Sequence, residues 1–403
     1  MSNRRSFFTR ASALTAGIFT GKAVLQAQAA HAPVPVTSLD IADLPFTMDN
    51  GTKVFNLIAE PVKQTVIPGR TLDLWGFNGS APGPTIQATE GDRVRIVFDN
   101  HLPEATGIHW HGLELPIEMD GVPGVGQDLV EPGGRFIYEF MLHQNGTFFY
   151  HPHMAMQEMV GLLGGFIIHP KVAYTPRVDK DFLIALQEYA VLPNTTIPNS
   201  FAMEFNWLTF NGKAGPSATP LVVRLGERIR IRLINMGMDH HPIHLHGFTF
   251  WETGREGARQ QETAWTRGNT TLVGVAQARD VEFVADRVGD WMLHCHLPHH
   301  MMNQMVPTVG PMTRRGPVGA PMPGHEMHVM PAKPGAEPEK VPLYPQDAFM
   351  EGPMMAMDKE VNKPETHGLP AGWSGFSGGM MTLLRVMPPD KYNEIMAMKA
   401  GAR

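Results

Sequence analysis

The stretch Glu90-Gly91-Asp92-Arg93-Val94-Arg95-Ile96-Val97-Phe98-Asp99-Asn100 returns 135 residues later as Leu225-Gly226-Glu227-Arg228-Ile229-Arg230-Ile231-Arg232-Leu233-Ile234-Asn235. Both copies alternate apolar and polar residues, the period-2 pattern of a half-buried strand. Eighteen residues after each glycine stands a His-x-His-Gly, His109-Trp110-His111-Gly112 and His244-Leu245-His246-Gly247. A further His-x-His closes each copy, His151-Pro152-His153 and His294-Cys295-His296, each five residues after a glycine, Gly146 and Gly289. One all-β unit therefore occurs twice, over roughly residues 45–172 and 173–312. Short strands broken by Gly/Pro turns, without long helical periodicity, predict two consecutive Greek-key β-sandwiches or barrels.

At 403 residues the chain can bury two or three sizeable cores. Its formal charge of −6 argues against nucleic acid or an anionic membrane surface as partner. A single cysteine rules out an intrachain disulfide framework. The 19 His and 27 Met are an unusual surplus. Both residue types are copper ligands, although methionine also serves as adaptable core filler.

The ends read differently from the repeat. Residues 1–30 carry a twin arginine in Asn3-Arg4-Arg5-Ser6-Phe7-Phe8, a small apolar stretch from about Ala11 to Leu25, and a small-x-small site at Ala27-Gln28-Ala29. They read as a twin-arginine signal removed on export, which implies a periplasmic or extracytoplasmic protein. The apolar stretch is too short for a membrane span. In an oxidising compartment an exposed lone thiol is a liability, so Cys295 is expected to be a buried metal ligand. Residues 313–345 are rich in Pro, Gly and Met and read as a linker or surface wrap. The whole of 313–403 is expected to form a tail, with a short docked helix over Tyr392–Lys399.

The two copies are chemically unequal. In the second, Cys295 lies between two histidines, with His300 five residues on and Met305 ten on. In the first, Pro152, Gln157 and Leu162 take the places of Cys295, His300 and Met305. Two His and one Cys in a plane with a weak axial Met form a type 1 copper site, and His241, Cys295, His300 and Met305 supply that set. In an extended strand Cys295 faces one way while His294 and His296 face the other. One metal can then sit on the sulfur side and a second centre on the histidine side, joined covalently. The four His-x-His pairs hold eight imidazoles, too many for one metal and enough for three coppers.

In sequence order, His-Trp-His-Gly, Tyr-His-Pro-His, His-Pro-Ile-His-Leu-His-Gly and His-Cys-His-x3-His-x4-Met span residues 109–305. As a set they resemble the four copper motifs of the multicopper oxidases, the family of laccases and metallo-oxidases. With type 1 ligands only in the second copy, the chain is most similar to the two-domain, small-laccase-like branch. The resemblance implies two cupredoxin-like domains and four coppers per chain. His109 and His244 would hold type 2 copper. His111, His151 and His296 would hold one type 3 copper, and His153, His246 and His294 the other. Electrons from a reductant would enter at type 1 and pass through Cys295 to His294 and His296, and O2 would be reduced to water. Asp120, in Met119-Asp120-Gly121, matches the family's acidic residue and is the expected proton relay. The second acid that often follows His-Cys-His is missing, since Leu297-Pro298-His299 stands there. In two-domain relatives the cluster lies between subunits of a homotrimer; a cluster inside one chain would use the same residues.

Two reductant classes fit. One is a phenol or aromatic amine oxidised near His241 or His300. The other is a metal ion, above all Cu(I), suggested by Met154, Met156, Met159, Met301, Met302 and twelve methionines beyond residue 312. Two alternatives compete. A two-domain copper nitrite reductase needs one type 1 copper and one three-histidine copper, which leaves His-x-His pairs unused. A periplasmic copper-binding or tolerance protein leaves the separate type 1 and eight-histidine sets without purpose.

Overall fold

The computed structural model describes residues 32–154, 156–192, 195–199, 203, 205–301 and 356–401. The expected leader, the axial Met305 and the 313–345 linker lie outside the described residues.

The fold is all-β, as the alternation predicts. The first half contains β1 (Val36–Ser38), β2 (Phe46–Asp49), β3 (Thr52–Ile67), β4 (Arg70–Phe77), β5 (Gly83–Thr89), β6 (Arg93–Asn100), β7 (Ile108–His111), β8 (Arg135–Met141), β9 (Gly146–Pro152) and β10 (Gly164–His169). The second contains β11 (Lys180–Tyr189), β12 (Trp207–Phe210), β13 (Leu221–Arg224), β14 (Arg228–Asn235), β15 (His241–Leu245), β16 (Phe250–Arg255), β17 (Ala258–Arg259), β18 (Thr266–Gly268), β19 (Thr270–Val273), β20 (Ala278–Val284) and β21 (Gly289–Cys295). After the undescribed stretch come β22 (Met381–Met387) and helix α1 (Pro389–Gly401).

Each half is a sandwich of two sheets. In the first, β2-β3-β6-β8, with β4 on β3, faces β5-β10-β9-β7. Val94, Ile96 and Phe98 point inward from β6 and join Trp110, Tyr138, Tyr150 and Phe166 in the core. In the second, β11-β14-β20-β16 faces β13-β22-β21-β15-β19. Its core includes Ile231, Leu233, Phe283, Leu293 and Cys295.

The repeat holds at the level of single hydrogen bonds. Ala59 of β3 lies opposite Asn100 of β6, and Leu186 of β11 opposite Asn235 of β14, both in parallel pairs. Asn100 Nδ2 donates to the carbonyls of Glu104 and Val130, and its Oδ1 accepts from the Leu102 amide. Asn235 does the same with Asp239, Val273 and the Gly237 amide. A further repeat was present in the sequence, in Phe77-Asn78-Gly79 and Phe210-Asn211-Gly212. Both asparagines take the left-handed turn conformation, at φ 49° and 51°.

Two features depart from expectation. The alternating arginines of β14 should face water, yet Arg230 and Arg232 are buried. Arg232 pairs with Asp181 and donates to Thr147 Oγ1 of β9 at 2.7 Å, while Arg230 pairs with Glu282 and Asp181. This face of β14 is therefore the contact between the two sandwiches, and the charges survive burial because each is paired.

The second departure concerns the expected 313–403 tail. Residues 381–387 are not a separate appendage. β22 lies between β13, to which it runs parallel, and β21, to which it runs antiparallel. Without it, two ladder edges would stay unpaired, and its apolar run fills the gap with Leu384 and Val386 in the core. The helix begins at Pro389, earlier than expected, and packs Ile395 against Val222 and Met387.

Candidate metal centre

β21 carries two chemistries on its two faces. Cys295 is fully buried on the core side, and its Sγ lies 3.7 Å from His241 Nδ1 and 3.5 Å from His300 Nδ1. The two imidazole nitrogens are 3.2 Å apart. With metal–nitrogen and metal–sulfur lengths of about 2.0 and 2.3 Å, three donors in a trigonal plane stand roughly 3.5–3.8 Å from one another. The triangle is that size within a few tenths of an ångström, so the donors fit one soft metal ion such as copper. His241 is positioned by β15, whose Ile243 lies opposite Cys295, and His300 by the 3-10 turn Pro298–Met301 that follows β21.

Burial keeps Cys295 and His300 uncharged. It pushes the Cys295 thiol up to about 12, with Glu188 and Asp239 adding to the rise. It pushes His300 down to about 3, with His241 and His299 contributing. The His300 lone pair is therefore open to metal, whereas the thiol must lose its proton as metal enters.

In the first sandwich the same place is filled without metal. Thr106 occupies the position of His241, Pro152 that of Cys295 and Gln157 that of His300. Thr106 Oγ1 donates to Gln157 Oε1 at 2.7 Å, and Gln157 Nε2 donates to the Ala105 carbonyl at 3.1 Å.

The eight remaining histidines form two sets. In the first, His109 packs edge-on against His111, His151 and His153 at ring separations of 5.3–5.7 Å, and His111 Nδ1 is 3.3 Å from His151 Nε2. In the second, His244 packs similarly against His246, His294 and His296 at 4.9–5.6 Å, and His246 Nε2 is 3.0 Å from His294 Nε2. The close pairs, His111/His151 and His246/His294, are those expected to share a type 3 copper. Among the described residues no hydrogen bond or ring contact joins the two sets. His153, His246 and His296 are exposed.

Ring orientation is set by the chain itself. His109 Nδ1 donates to the carbonyl of Asp120 at 2.9 Å, His294 Nδ1 to its neighbour Cys295 at 2.8 Å, and His244 Nδ1 to Asn269 at 2.8 Å. His151 Nδ1 bonds the Pro152 carbonyl at 2.9 Å and lies 3.2 Å from Glu158 Oε2. These bonds fix the tautomer and leave Nε2 for metal; His111 turns Nδ1 inward instead. Burial lowers His109 and His294, and takes His111 to about 4.

The Asp120 carboxylate lies 3.4 Å from His109 Nδ1. It stays close because Gly121 crosses β7 there: a Cβ on that glycine would stand 1.8 Å from the Ile108 carbonyl oxygen. Two carboxylates escaped the sequence reading. Glu158, seven residues after His151, sits at that ring. Glu188 lies at His241, with Oε2 3.0 Å from Nε2. The available signal for Glu188 was an acid just after the apolar run 182–186 of β11.

Multicopper oxidase family profiles match residues 60–173 and 190–310. Copper resistance protein A of Pseudomonas syringae pv. tomato is 42% identical over 123 residues, 30% of this chain and 20% of that protein. The chain thus matches about a fifth of the length of that relative. Multicopper oxidase MmcO of Mycobacterium tuberculosis is 26% identical over 69% of this chain and 62% of its own. Among solved structures, the blue copper oxidase of Nitrosomonas europaea is 32% identical, with a TM-score of 0.58 over 62% of this chain and 81% of that one.

Proposed function

The chain belongs to the multicopper oxidase family, and on that footing we propose that it couples one-electron oxidation of a small reductant to the reduction of O2 to water. The observation that carries this reading is the two-faced strand β21, with the His241–Cys295–His300 triangle on one side and the His294 and His296 rings on the other. Copper held by these donors together with Met305, four ions per chain, would supply reversible one-electron exchange at the triangle and O2 reduction at the histidines. The chain's part is to hold, orient and connect. Cys295 shares backbone bonds with both His294 and His296, so the triangle and the histidine set are linked covalently. Asp120 keeps a carboxylate at His109, where it can hold or pass a proton.

We further propose that the two histidine sets meet between copies of the chain, in a homotrimer. Each set is closed within its own sandwich and leaves exposed rings. A groove of about 500 Å³ beside His244, lined by Leu245, Arg267, Asn269 and Arg287, leaves room for a neighbour. Oligomers built head to tail close into rings when the rotation permits.

For the reductant, the surroundings of His300 favour a metal ion such as Cu(I). Its Nε2 faces Asp239 Oδ2 at 3.4 Å, and exposed His299 packs on its ring at 4.3 Å. His241 offers no comparable edge, because Glu188 covers it. A phenol or aromatic amine is the second candidate, given the laccases among the relatives. The twin-arginine segment supports a place outside the cytoplasm, and no described helix is long and apolar enough to cross a membrane.

Copper content and O2 uptake by the copper-loaded protein, with Cu(I), Fe(II), Mn(II) and a phenol as donors, test the reading. O2 uptake with any of them supports the oxidase. Two coppers per chain with nitrite turnover and no O2 uptake would replace it with the reductase.

A further inference from the structure

Glu188 is a carboxylate in the core of a sandwich, fully buried on β11 between Gln187 and Tyr189. Its hydrogen-bond partners are all donors. Oε1 accepts from the backbone amides of Met238 and Asp239, the latter at 2.9 Å, and Oε2 accepts from His241 Nε2 at 3.0 Å. One side chain therefore holds both the loop that leads into β15 and the ring at the start of that strand.

The loop is shaped around this carboxylate. Gly237 approaches so closely that an added Cβ would stand 2.0 Å from Glu188 Oε2 and 2.2 Å from Oε1. Any side chain there would expel the carboxylate or move the loop.

The internal repeat supplies a comparison within one molecule. Leu186 lies opposite Asn235 as Ala59 lies opposite Asn100. Two residues on, Glu188 corresponds to Pro61. Gly237, whose amide bonds Asn235 Oδ1, corresponds to Leu102, whose amide bonds Asn100 Oδ1. The first sandwich keeps the asparagine clamp and the loop but has neither the acid nor the glycine. It also has no Cys-His triangle. The pair Glu188–Gly237 occurs only where a histidine must present Nδ1 to a metal.

We propose that Glu188 is a positioning residue for the type 1 site, seated by Gly237, which locks the His241 ring with Nδ1 toward the metal and holds down the site's reduction potential. An acceptor on the far ring nitrogen fixes the tautomer and makes the ligating nitrogen more basic. A buried negative charge beside the ligand favours the more positive oxidation state of the metal. It also closes the His241 edge to reductants, so electrons enter by the His300 side.

This inference rests on reading His241–Cys295–His300 as a type 1 copper site, and the experiment separates the two. Full-length protein is loaded with copper, and the visible thiolate–copper band and its potential are followed by spectroelectrochemical titration in wild type, Glu188→Gln, Glu188→Asp and Gly237→Ala. Glu188→Gln should keep the band, shift the potential upward and weaken copper retention at this site about 10- to 100-fold. Glu188→Asp should recover part of the shift. Gly237→Ala keeps the acid but unseats it, and should move the potential in the same direction even if Glu188→Gln does not fold. Potentials equal to wild type in both Glu188→Gln and Gly237→Ala, with the band intact, overturn the positioning role and leave the copper site standing. A wild-type protein without the band overturns both.

Discussion

The amide of Cys295 donates to the carbonyl oxygen of Met380 at 3.0 Å, and the Met380 amide donates to the carbonyl of His300 at 2.8 Å. The loop bearing Cys295 and His300 is thus tied to the residue just before β22, across the long Met-rich stretch that separates them in sequence. Truncation after residue 312 should therefore abolish folding of the second sandwich. Leu384 and Val386 alone, fully buried, contribute about 3–6 kcal/mol against a typical total of about 5–15 kcal/mol. Thermal melts and the visible copper band would report the loss. Excising residues 313–345 alone, with β22 kept, should leave the band in place. That internal deletion also tests whether Met322, Met327 and Met330 deliver Cu(I): if they do, Cu(I) turnover falls while phenol turnover holds.

Cys295→Ser replaces a soft donor with a hard hydroxyl in a dry pocket. The visible band and reductant oxidation should both vanish, and one copper per chain should be lost. The eight histidines are untouched, so they should still bind copper, measurable by metal analysis and electron paramagnetic resonance. A variant that kept reductant oxidation would mean that electrons reach O2 by a route that bypasses the sulfur.

What could be read in advance was what is local. His109, His111, Cys295 and His300 declare themselves by short spacing, and the strand repeat declares the two sandwiches. Partners far apart in sequence stayed hidden. Arg230 and Arg232 read as a wet face because nothing near them names Asp181 and Glu282 as partners. Glu188 went unread, since its partner His241 lies 53 residues on. β22 was obscured by the methionine-rich insertion, which made the sequence beyond residue 312 look like one tail. In each case a tertiary pairing decides the environment.

Asp120→Asn should lower steady-state O2 consumption about 100-fold or more, the usual worth of a placed acid or base. The backbone carbonyl that holds His109 survives the substitution, so copper content should not change. Anaerobic reduction of the visible band should keep its rate, because that step is remote from Asp120. Glu158, at His151, is the natural second carboxylate, and Glu158→Gln should slow the same step. Equal slowing of the anaerobic step would show a general structural effect instead.

Acid should weaken the second sandwich at the ion pairs of Glu282. Burial alone would raise the Glu282 carboxyl, but Arg230 and Arg259 outweigh it and hold the value down at about 2, against an ordinary 4.5. A folded value below the unfolded one contributes stability that is complete above pH about 4.5 and is lost as the pH falls toward about 2. The contribution is on the order of 3 kcal/mol. Urea midpoints should therefore drop steeply over that window. Glu282→Gln should flatten the drop and, by leaving Arg230 and Arg259 underpaired, cost about 3–5 kcal/mol at neutral pH.

The separation of the two histidine sets makes the assembly testable by complementation. His111→Ala disables the set on β7 and β9, and His246→Ala the set beside β15 and β21. Each variant alone should be inactive in O2 reduction. If a complete cluster takes one set from each of two neighbouring copies, co-expression restores some sites. A working site then needs an intact first set on one copy and an intact second set on the next. Random mixing in a ring supplies this for about a quarter of the sites. If the cluster forms within one chain, no mixture can rebuild it and activity stays at background. Sedimentation of the mixed sample, together with its O2 consumption, would separate failed assembly from a cluster housed in a single subunit.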